Sequence, residues 1–501
     1  MGAVDPRVFG TFVEHMGRSV YTGIFEPGHP TDDGSGFRGD VSALVRQMGP
    51  TVARYPGGNF VSGYRWEDGV GPVEERPVRL DTAWKEIETN EVGPGEFTQW
   101  CRSVGMEPIM AVNLGTRGVQ EAMDLLEYCN HPGGTALSDL RRKHGHDDPF
   151  AIRTWCLGNE LDGPWQLGAK TAQEYGRLAA ETARGMRMVD PQIELVACGS
   201  SNSQMPTFAA WEATVLEHCY DLVDYISLHS YYDPLPQELS TFLASSRDLD
   251  RAITGIVATA DHVGARLKSR KQLHLSVDEW NVWYQSRFDG QDVLRYDGPR
   301  ELIEDVYDVA DAVVVGSLLI TLLQHADRVR IACQAQLVNV IAPILTRAGG
   351  GAWPQTIFHP FAQAAEHAVG DVLRMEPDVA GYDDDMHGRV PWLESVATYD
   401  ADAGTATLFA VNRSVDEPIE LLANVRALGD GHVVEATTLC DSDIRARNTE
   451  ETPDRVVPRP LTDITAEDGV VRALLPPVSW SVIRLTKSSS STPAGSPNPK
   501  E

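Results

Sequence analysis

Residues 155–160 read W-C-L-G-N-E, and residues 276–283 read S-V-D-E-W-N-V-W. Each stretch follows a run with strand character, contains tryptophan, and places a glutamate where the strand should stop. Cleavage of a glycosidic bond needs two carboxyl groups that face one sugar ring, one to donate a proton and one to attack the sugar or activate water. The two stretches therefore predict that Glu160 and Glu279 form such a pair.

The strand-like pattern recurs along the chain and predicts a parallel sheet. Short, β-branched-rich runs bounded by Gly, Pro, Asn or Asp are typical of strands. Eight of them lie at 8–12, 51–55, 106–113, 151–158, 193–198, 222–229, 273–279 and within 329–340. Helical patterns lie between strands, most clearly at 172–189, 206–219, 249–263 and 305–324. Thr171 and Glu174 form a predicted capping box at the start of the first of these helices.

Eight strand–helix units indicate an α/β fold, the closed (β/α)8 TIM barrel, extending over residues 1–368. A doubly wound open sheet is the alternative topology. No G-x-G-x-x-G motif follows the first strand, and this absence weakens the alternative, because nucleotide-binding sheets of that kind commonly carry the motif there.

After about residue 370 the pattern changes to short strands separated by turn residues. These strands lie at 395–399, 405–411, 419–422, 432–438 and 479–485. Alternation of apolar and polar residues without long helices predicts a jelly-roll-like antiparallel β-sandwich over residues 369–487. The remaining residues, 488–501, are rich in Ser and Pro, and this composition predicts a disordered tail.

The length and charge of the chain limit the classes of partner that it can bind. With 501 residues, it is long enough for a barrel and a companion domain. Its 43 basic and 72 acidic residues give a net charge of −29, which disfavours nucleic-acid and membrane partners because both would be repelled. A solvated acidic surface explains the charge equally well.

Cysteine usage and apolar runs bear on localisation. The seven cysteines lack C-x-x-C spacing, so we expect buried reduced thiols and no disulfide framework or zinc site. The N-terminus, M-G-A-V-D-P-R-V-F-G, lacks the regions of a signal peptide. The longest apolar run, 312–323, is too short to span a bilayer. We expect a soluble cytoplasmic protein, with a removed leader as the alternative.

The two glutamates need different surroundings if they share a reaction. In a barrel, reacting groups lie where strands end at the C-terminal face, and Glu160 and Glu279 end the fourth and seventh predicted strands. A single such glutamate is more often a surface ion pair or a helix cap, but a pair flanked by Asn and Trp favours catalysis. Arg54, at the end of the second strand, is a candidate donor to an ionised carboxylate, or else part of a structural ion pair.

Strand geometry limits which neighbours of these glutamates can reach the same site. Asp278 and Glu279 are adjacent, and side chains alternate between the faces of a strand, so we expect only one of the two to reach the site. Asn159 and Glu160 can both reach it only if the strand ends or bulges there.

Six motifs resemble the α-L-arabinofuranosidases of glycoside hydrolase family 51. They are R-Y-P-G-G-N-F (54–60), A-V-N-L-G-T-R-G (111–118), W-C-L-G-N-E (155–160), S-L-H-S-Y-Y (227–232), D-E-W-N-V-W (278–283) and N-T-E-E-T-P-D-R-V-V-P (448–458). The resemblance runs from Phe9 into the C-terminal sandwich. The N-E motif alone occurs in many barrel glycosidases, whereas its combination with D-E-W is specific.

The resemblance implies a role for each matching residue. Glu160 resembles the acid/base and Glu279 the nucleophile, in a retaining reaction whose two carboxyl groups lie about 5–5.5 Å apart. The implied contacts with arabinose hydroxyls come from Asn159, at the 2-hydroxyl, and from Glu14 and Asn59. The implied supporting and pocket-lining residues are Tyr231 beside the nucleophile, His229 near it, Trp84, Trp283 and Gln336.

Several of these residues also have a purely structural interpretation. Without the resemblance, His229 would be interpreted as a core histidine, and Trp84 and Trp283 as packing residues. Gln336 would not attract attention. Gly57 and Gly58 predict a tight turn, since no Lys-Ser/Thr follows them as in a phosphate-binding loop. The chain also departs from the family pattern, because little precedes its first barrel strand where family members usually add a strand to the sandwich.

Together these features predict a retaining, exo-acting α-L-arabinofuranosidase. The implied substrates are arabino- and arabinoxylo-oligosaccharides, and the predicted mechanism requires neither a metal nor another cofactor. Family resemblance implies a homo-oligomer, often a hexamer. An endo-β-1,4-glucanase or xylanase on the same scaffold is one alternative, and a non-catalytic carbohydrate-binding protein is another.

Overall fold

The computed structural model describes residues 2–428 and 432–487. The strands are β1 (Gly10–Phe12), β2 (Val52–Tyr55), β3 (Arg79–Asp81), β4 (Glu86–Glu88), β5 (Glu107–Ala111), β6 (Thr154–Leu157), β7 (Glu194–Ala197), β8 (Tyr225–Tyr232), β9 (His274–Val282), β10 (Val329–Gln334), β11 (Ile344–Thr346), β12 (Ala352–Pro354), β13 (Asp371–Val372), β14 (Gly381–Asp384), β15 (Gly388–Pro391), β16 (Leu393–Asp400), β17 (Thr405–Asn412), β18 (Ile419–Asn424), β19 (His432–Leu439), β20 (Arg459–Pro460), β21 (Ile464–Glu467), β22 (Val470–Leu475) and β23 (Ser479–Thr486).

The helices follow the strands of the first two thirds of the chain. The α-helices are α1 (Gly39–Met48), α2 (Pro94–Ser103), α3 (Val119–Asn130), α4 (Ala136–Lys143), α5 (Ala172–Val189), α6 (Ala210–Cys219), α7 (Leu239–Leu243), α8 (Ser246–Leu267), α9 (Val309–Gln324) and α10 (Phe358–His367). Short 3₁₀ helices lie at Pro6–Val8, Asn59–Ser62, Trp66–Gly69, Val73–Glu75, Gln285–Arg287, Gln291–Val293 and Arg426–Leu428.

Eight parallel strands close into a barrel in the order β1-β10-β9-β8-β7-β6-β5-β2. They coincide with the eight predicted strands, so the barrel prediction is confirmed and the open-sheet alternative is wrong. Every residue of β2 and β6 is buried, as expected where helices cover the outside of a parallel sheet and side chains fill its interior.

Helix α5 shows how local sequence fixes the outer layer of the barrel. Thr171 Oγ1 accepts a hydrogen bond from the backbone N–H of Glu174 (3.3 Å), and the Glu174 carboxylate accepts one from the N–H of Thr171 (2.9 Å). The predicted capping box is therefore confirmed. One face of α5 is largely buried: Tyr175, Ala179, Thr182 and Met186 are buried, and Leu178 is half-buried.

The C-terminal region is an antiparallel sandwich. Its larger sheet has the order β13-β16-β17-β23-β19-β20, and its smaller sheet has the order β18-β22-β21. The five predicted strands are confirmed as β16, β17, β18, β19 and β23. An apolar core lies between the sheets and includes Leu408, Leu421, Val471, Leu475 and Ile483. The predicted tail, 488–501, lies outside the described residues.

The first few residues pair with the sandwich and not with the barrel. Ala3 forms an antiparallel bridge with Asp371, the Val4 N–H donates to Gly370 O (2.9 Å), and the Val372 N–H donates to Gly2 O (3.1 Å). The short segment before β1 therefore extends the edge of the larger sheet beside β13, although the sequence had indicated that this chain departs from the family pattern of a further sandwich strand there.

Helix α9 lies between the barrel and the sandwich, and it contains the longest apolar run of the sequence. It is apolar around its circumference, and nearly all of its residues are buried, as expected for a helix covered on every side. A Cβ atom on Gly316 would lie 2.4 Å from the Trp480 ring on β23, so glycine permits this close contact. Of the helices in the described ranges, none is long and apolar enough to cross a membrane.

All seven cysteines lie in described segments and are unpaired. Six are buried and Cys440 is half-buried. Burial raises the pKa of the Cys156 thiol, which keeps it in the unreactive thiol form. The expectation of buried reduced thiols is therefore confirmed for six of the seven.

Candidate active site

A cavity of about 920 Å³ opens at the C-terminal ends of the barrel strands. Glu160 and Glu279 both line it, together with six other residues that the sequence singled out: Glu14, Asn59, Trp84, Tyr231, Trp283 and Gln336. The other three predicted residues, Arg54, Asn159 and His229, do not line the cavity. They are buried behind its wall and contact the two glutamates or one another.

Barrel closure brings Glu160 and Glu279 together. Glu160 follows β6 and Glu279 lies in β9, and β7 and β8 separate these two strands in the sheet. One carboxylate oxygen of each glutamate and a ring nitrogen of His229 nevertheless all lie within 4.8 Å of one another. The two acids therefore face the same small volume from different sides of the barrel mouth.

Two donors hold Glu279. Arg54 Nη1 donates to Oε1 (2.7 Å), and the Tyr231 hydroxyl donates to Oε2 (2.8 Å). Burial opposes the charge of Arg54, but the carboxylates of Asp278 and Glu279 keep its pKa well above the ordinary value. Arg54 Nη2 also donates to Asn159 Oδ1 (2.7 Å). A permanent cation and a hydroxyl thus stabilise the ionised form of Glu279.

Glu160 reaches the cavity because the chain turns immediately after β6. Gly158 has φ = 94° and Glu160 has φ = 44°, a left-handed region that residues other than glycine seldom occupy. The strand ends at Leu157, as expected, and the turn directs Glu160 into the cavity while Asn159 stays buried behind the wall against Arg54. At Glu160, Oε2 accepts a hydrogen bond from Trp165 Nε1 (2.7 Å).

His229 links the acids electrostatically. Its Nδ1 lies 2.9 Å from Glu160 Oε1 and its Nε2 lies 3.0 Å from Asp278 Oδ1. Burial lowers the pKa of His229, but the charge of Glu279 and the hydrogen bonds to Asp278 and Glu160 outweigh it and raise that pKa well above the ordinary value. His229 therefore holds its second proton to higher pH than an ordinary histidine, and in that form its two ring N–H groups donate to Glu160 and Asp278.

The protonation of Glu160 follows from the same surroundings. Burial is the largest influence and raises the pKa of Glu160, and the charge of Glu279 raises it further, whereas the hydrogen bond to His229 acts in the opposite direction. The net shift is upward, so Glu160 holds its proton to higher pH than an ordinary glutamate. This is the property required of a general acid.

Asp278 does not follow the simple alternation of faces along β9. Its side chain was expected to point away from the face of Glu279, yet it is buried inside the barrel against His229. The pairing of β8 with β9 shifts register between Ser227 and His229, so β9 has an extra residue at this point. Such a bulge breaks the alternation of faces. Only Glu279 of the two lines the cavity, as expected.

Glu14 organises another side of the cavity. Its Oε1 accepts hydrogen bonds from the Phe60 N–H and from Trp84 Nε1, both at 2.9 Å, and Gln336 Oε1 accepts one from the Glu14 N–H (3.0 Å). Burial raises the pKa of Glu14 to about 8. A Cβ on Gly58 would lie 2.7 Å from the Glu14 carboxylate, so the glycine pair forms a tight turn that makes room for this acid.

Trp165 is a site residue that the sequence analysis did not select. It lines the cavity, is 42% exposed, and hydrogen-bonds Glu160. The signal was present, since Gly163-Pro164-Trp165 places an aromatic residue shortly after the strand-end glutamate. By contrast, Trp283 was selected, and it packs edge-on against Tyr231 with 5.5 Å between ring centroids.

Comparison with known proteins assigns the whole chain to one group. Residues 44–250 match the "Alpha-L-arabinofuranosidase 1 domain" profile, and residues 278–479 match the "Alpha-L-arabinofuranosidase C-terminal domain" profile. An intracellular exo-α-(1→5)-L-arabinofuranosidase of Streptomyces lividans is 57% identical, over 97% of this chain and 73% of its own. An exo-α-(1→6)-L-arabinofuranosidase of Bifidobacterium longum is 51% identical, over 96% and 94%. The structure of a family 51 α-L-arabinofuranosidase from Bifidobacterium longum superposes with a TM-score of 0.94 at 44% identity, over 97% of each chain.

Proposed function

Because this chain belongs to the α-L-arabinofuranosidases of glycoside hydrolase family 51, we propose that it is a retaining, exo-acting enzyme that removes terminal α-L-arabinofuranosyl residues from oligosaccharides. The observation that carries the proposal is the approach of Glu160 and Glu279, whose nearest oxygens lie within 4.8 Å across the cavity. Retaining glycosidases hold their carboxyl groups about 5–5.5 Å apart, and inverting enzymes hold them further apart to admit a water molecule.

In the first step Glu279 attacks the anomeric carbon, and the bond from that carbon to the leaving oxygen breaks. Glu160 gives its proton to that oxygen, so the product is an alcohol and a covalent arabinosyl-enzyme. In the second step Glu160, now a carboxylate, takes a proton from water, which attacks the same carbon and releases Glu279. The two acids, the sugar and water supply every proton and electron pair, so the proposed mechanism uses no cofactor.

The surroundings of the two acids support this assignment of roles. Glu279 accepts hydrogen bonds from Arg54 and Tyr231, which stabilise a carboxylate nucleophile. The Glu160 side chain is 11% exposed and its pKa is raised, which suits the acid. His229, whose pKa is raised by the neighbouring carboxylates, positions Glu160 through the contact at Nδ1 and is itself held by Asp278 at Nε2.

Binding of the terminal sugar is assigned to the predicted residues around the acids. Glu14 and Asn59 bind arabinose hydroxyls from the cavity wall. Asn159 binds the 2-hydroxyl through Nδ2, for which no hydrogen-bond partner exists among the described residues. On this side the buried side chains of Trp84 and Gln336 complete the wall. A wall of buried side chains admits the end of a chain and not its middle, which favours exo action over the endo-glucanase or xylanase alternative.

Its relatives indicate the substrates, the cellular location and the oligomeric state that we infer for the enzyme. We infer arabino- and arabinoxylo-oligosaccharides as substrates, with α-1,5-linked arabino-oligosaccharides as the first to test, and a cytoplasmic location, because the Streptomyces relative is named an intracellular exo-α-(1→5)-L-arabinofuranosidase. We also infer a homo-oligomer, the hexamer implied by family resemblance. Exposed apolar side chains at Val78, Leu80 and Val293 offer contact surface for it.

Hydrolysis of p-nitrophenyl α-L-arabinofuranoside tests the proposed function. We expect release of p-nitrophenol with arabinose, and no turnover of a p-nitrophenyl β-glucoside, cellulose or xylan backbone. Glu279→Ala should abolish the reaction, whereas Glu181→Gln, at a position on α5 that is 45% exposed and outside the cavity, should not change it. Turnover of cellulose or the β-glucoside in place of the arabinofuranoside would support the glucanase alternative, and binding without turnover would support a binding protein.

A further inference from the structure

The cavity continues well beyond the two acids. Its volume of about 920 Å³ is near the upper end of the range of about 300–1,000 Å³ for pockets that enclose drug-sized ligands, and one arabinofuranose ring is much smaller than such ligands. In the closed barrel β7 lies opposite β1. The loops after β7 and β8 therefore lie across the cavity from Glu14, and β7 lies beside β6, after which comes Glu160, the acid that protonates the leaving oxygen in the proposed mechanism.

This part of the cavity, which we call the outer lobe, is lined by residues 201–204, Gln237, Asp248, Met386 and His387. Most of these side chains are uncharged hydroxyls and amides, which can both donate and accept hydrogen bonds. Asp248 already accepts hydrogen bonds from Ser203 (3.0 Å) and Tyr232 (3.3 Å). Such a surface suits the hydroxyl groups of further sugar rings.

One wall of the outer lobe comes from the C-terminal sandwich and not from the barrel. Met386 and His387 lie in the turn of the hairpin β14–β15. Asp384 fixes this turn, because its Oδ1 accepts hydrogen bonds from the backbone N–H groups of Met386 (3.0 Å) and His387 (2.8 Å). The two side chains are thus held in place at the end of a short, well-defined loop.

The hairpin is also fastened to the barrel. The Tyr382 hydroxyl donates to Ser240 O, and the Thr241 hydroxyl donates to Asp384 Oδ2, both at 2.6 Å. Arg251, on α8, donates to the carbonyl oxygens of both turn residues. These contacts cross from one domain to the other, so the position of the turn against the cavity is built into the fold.

Two side chains of the turn, Met386 and His387, can make further contacts with a ligand. Met386 is 65% exposed, so its flexible apolar side chain is available to pack against a ligand in the cavity. His387 is only 8% exposed, and its Nδ1 has no hydrogen-bond partner among the described residues. Buried polar atoms are nearly always paired in folded proteins, so an unpaired one on a cavity wall points to a ligand.

We propose that the hairpin β14–β15 forms part of the binding surface for the leaving group, so that the C-terminal sandwich helps to select oligosaccharides by their length. Met386 covers the apolar face of a sugar ring beyond the cleaved bond, and His387 hydrogen-bonds one of its hydroxyls. The proposal rests on the proposed function and adds to it a role for the second domain.

The test compares a long leaving group with a short one. We would measure kcat/KM for α-1,5-arabinotriose and for p-nitrophenyl α-L-arabinofuranoside in the wild type, Met386→Ala and His387→Ala. The control is Arg389→Ala, an exposed residue of the same hairpin outside the cavity. We expect the ratio of the trisaccharide constant to the aryl constant to fall about tenfold in each variant, as for loss of one contact, and to stay unchanged in the control.

An unchanged ratio overturns the proposal, including the case in which both constants fall in parallel through a general defect. Met386 is largely exposed, so Met386→Ala keeps the test usable if His387→Ala does not fold. A wild type that cleaves neither substrate refutes the proposed function instead. A wild type that cleaves both, with ratios unaffected by either variant, refutes only the role of the hairpin.

Discussion

Glu160 and Glu279 carry the same carboxyl group, and their neighbours give them different chemistry. Arg54 and Tyr231 donate to Glu279, whereas burial and the charge of Glu279 raise the pKa of Glu160. A carboxyl whose pKa is raised stays protonated until the pH passes the raised value. Activity that needs this proton therefore persists as the pH rises above about 4.3, the ordinary pKa of glutamate, and is lost only at higher pH.

The first prediction concerns this alkaline limb. In Glu160→Gln the side chain cannot titrate, so the fall of kcat/KM at high pH should disappear for an activated aryl arabinofuranoside, and the remaining rate should be about 10²–10⁴-fold lower. The measurement is kcat/KM against pH, with Glu181→Gln as the control that keeps the wild-type profile. An alkaline limb that is unaltered in Glu160→Gln would show that another group supplies the proton.

At this scale the sequence identified residues better than it identified their geometry. Glu160 and Glu279 could be identified from the sequence because a glutamate at a strand end leaves a local pattern. The inward position of Asp278 could not be predicted from the sequence, because it depends on a bulge in β9 that appears only when β9 pairs with β8. The roles of Glu14 and Gln336 came from family resemblance, because contacts between the ends of β1 and β10 leave no local pattern.

Among the elements, those with regular patterns and capped ends were predictable. The strands of the barrel are short apolar runs, and α5 begins at a capping box and ends before Asp190. The hairpins β3–β4 and β14–β15 were not predicted. Their strands, such as G-Y-D-D and E-I-E, are too polar or too short to show apolar alternation, and they are held by contacts with distant residues.

The second prediction tests the capping box of α5. Thr171→Ala removes the hydroxyl that accepts the Glu174 N–H, which should cost about 1 kcal/mol locally and speed amide exchange in the first turn of α5 about fivefold. Thr171→Ser keeps the hydroxyl and should exchange like the wild type. Thr171 does not line the cavity, so kcat/KM should not change. Equal exchange in Thr171→Ala and the wild type would contradict the capping role.

At the scale of the whole molecule, a buried ion pair fastens the sandwich to the barrel. Arg413 and Glu394 of the sandwich form the pair, and Arg413 Nε also donates to Leu243 O (2.8 Å) while Nη2 donates to Ser246 Oγ (2.7 Å). Ser246 begins α8, the helix that carries Asp248 of the outer lobe and Arg251, which fastens the hairpin β14–β15. The sequence predicted both domains but not this contact, since nothing local relates residues that are so far apart in the chain.

The third prediction follows from this pair. Arg413→Met leaves Glu394 buried without a partner, which should cost about 3–5 kcal/mol and lower the unfolding temperature. The double variant Arg413→Met/Glu394→Met removes both charges and should recover much of the loss. Calorimetry of the two variants and the wild type provides the measurement. A single variant as stable as the wild type would mean that the pair does not hold the domains together.

The central claim is that barrel closure places two acids, from β6 and β9, on opposite sides of one anomeric carbon. In Glu279→Ala, added azide replaces the nucleophile and attacks the sugar directly, while in Glu160→Ala azide replaces water and attacks the arabinosyl-enzyme. The decisive measurement is the NMR assignment of the arabinosyl azide that each variant forms from an activated aryl α-L-arabinofuranoside. We predict the β-azide from Glu279→Ala and the α-azide from Glu160→Ala; the same anomer from both variants would contradict the account.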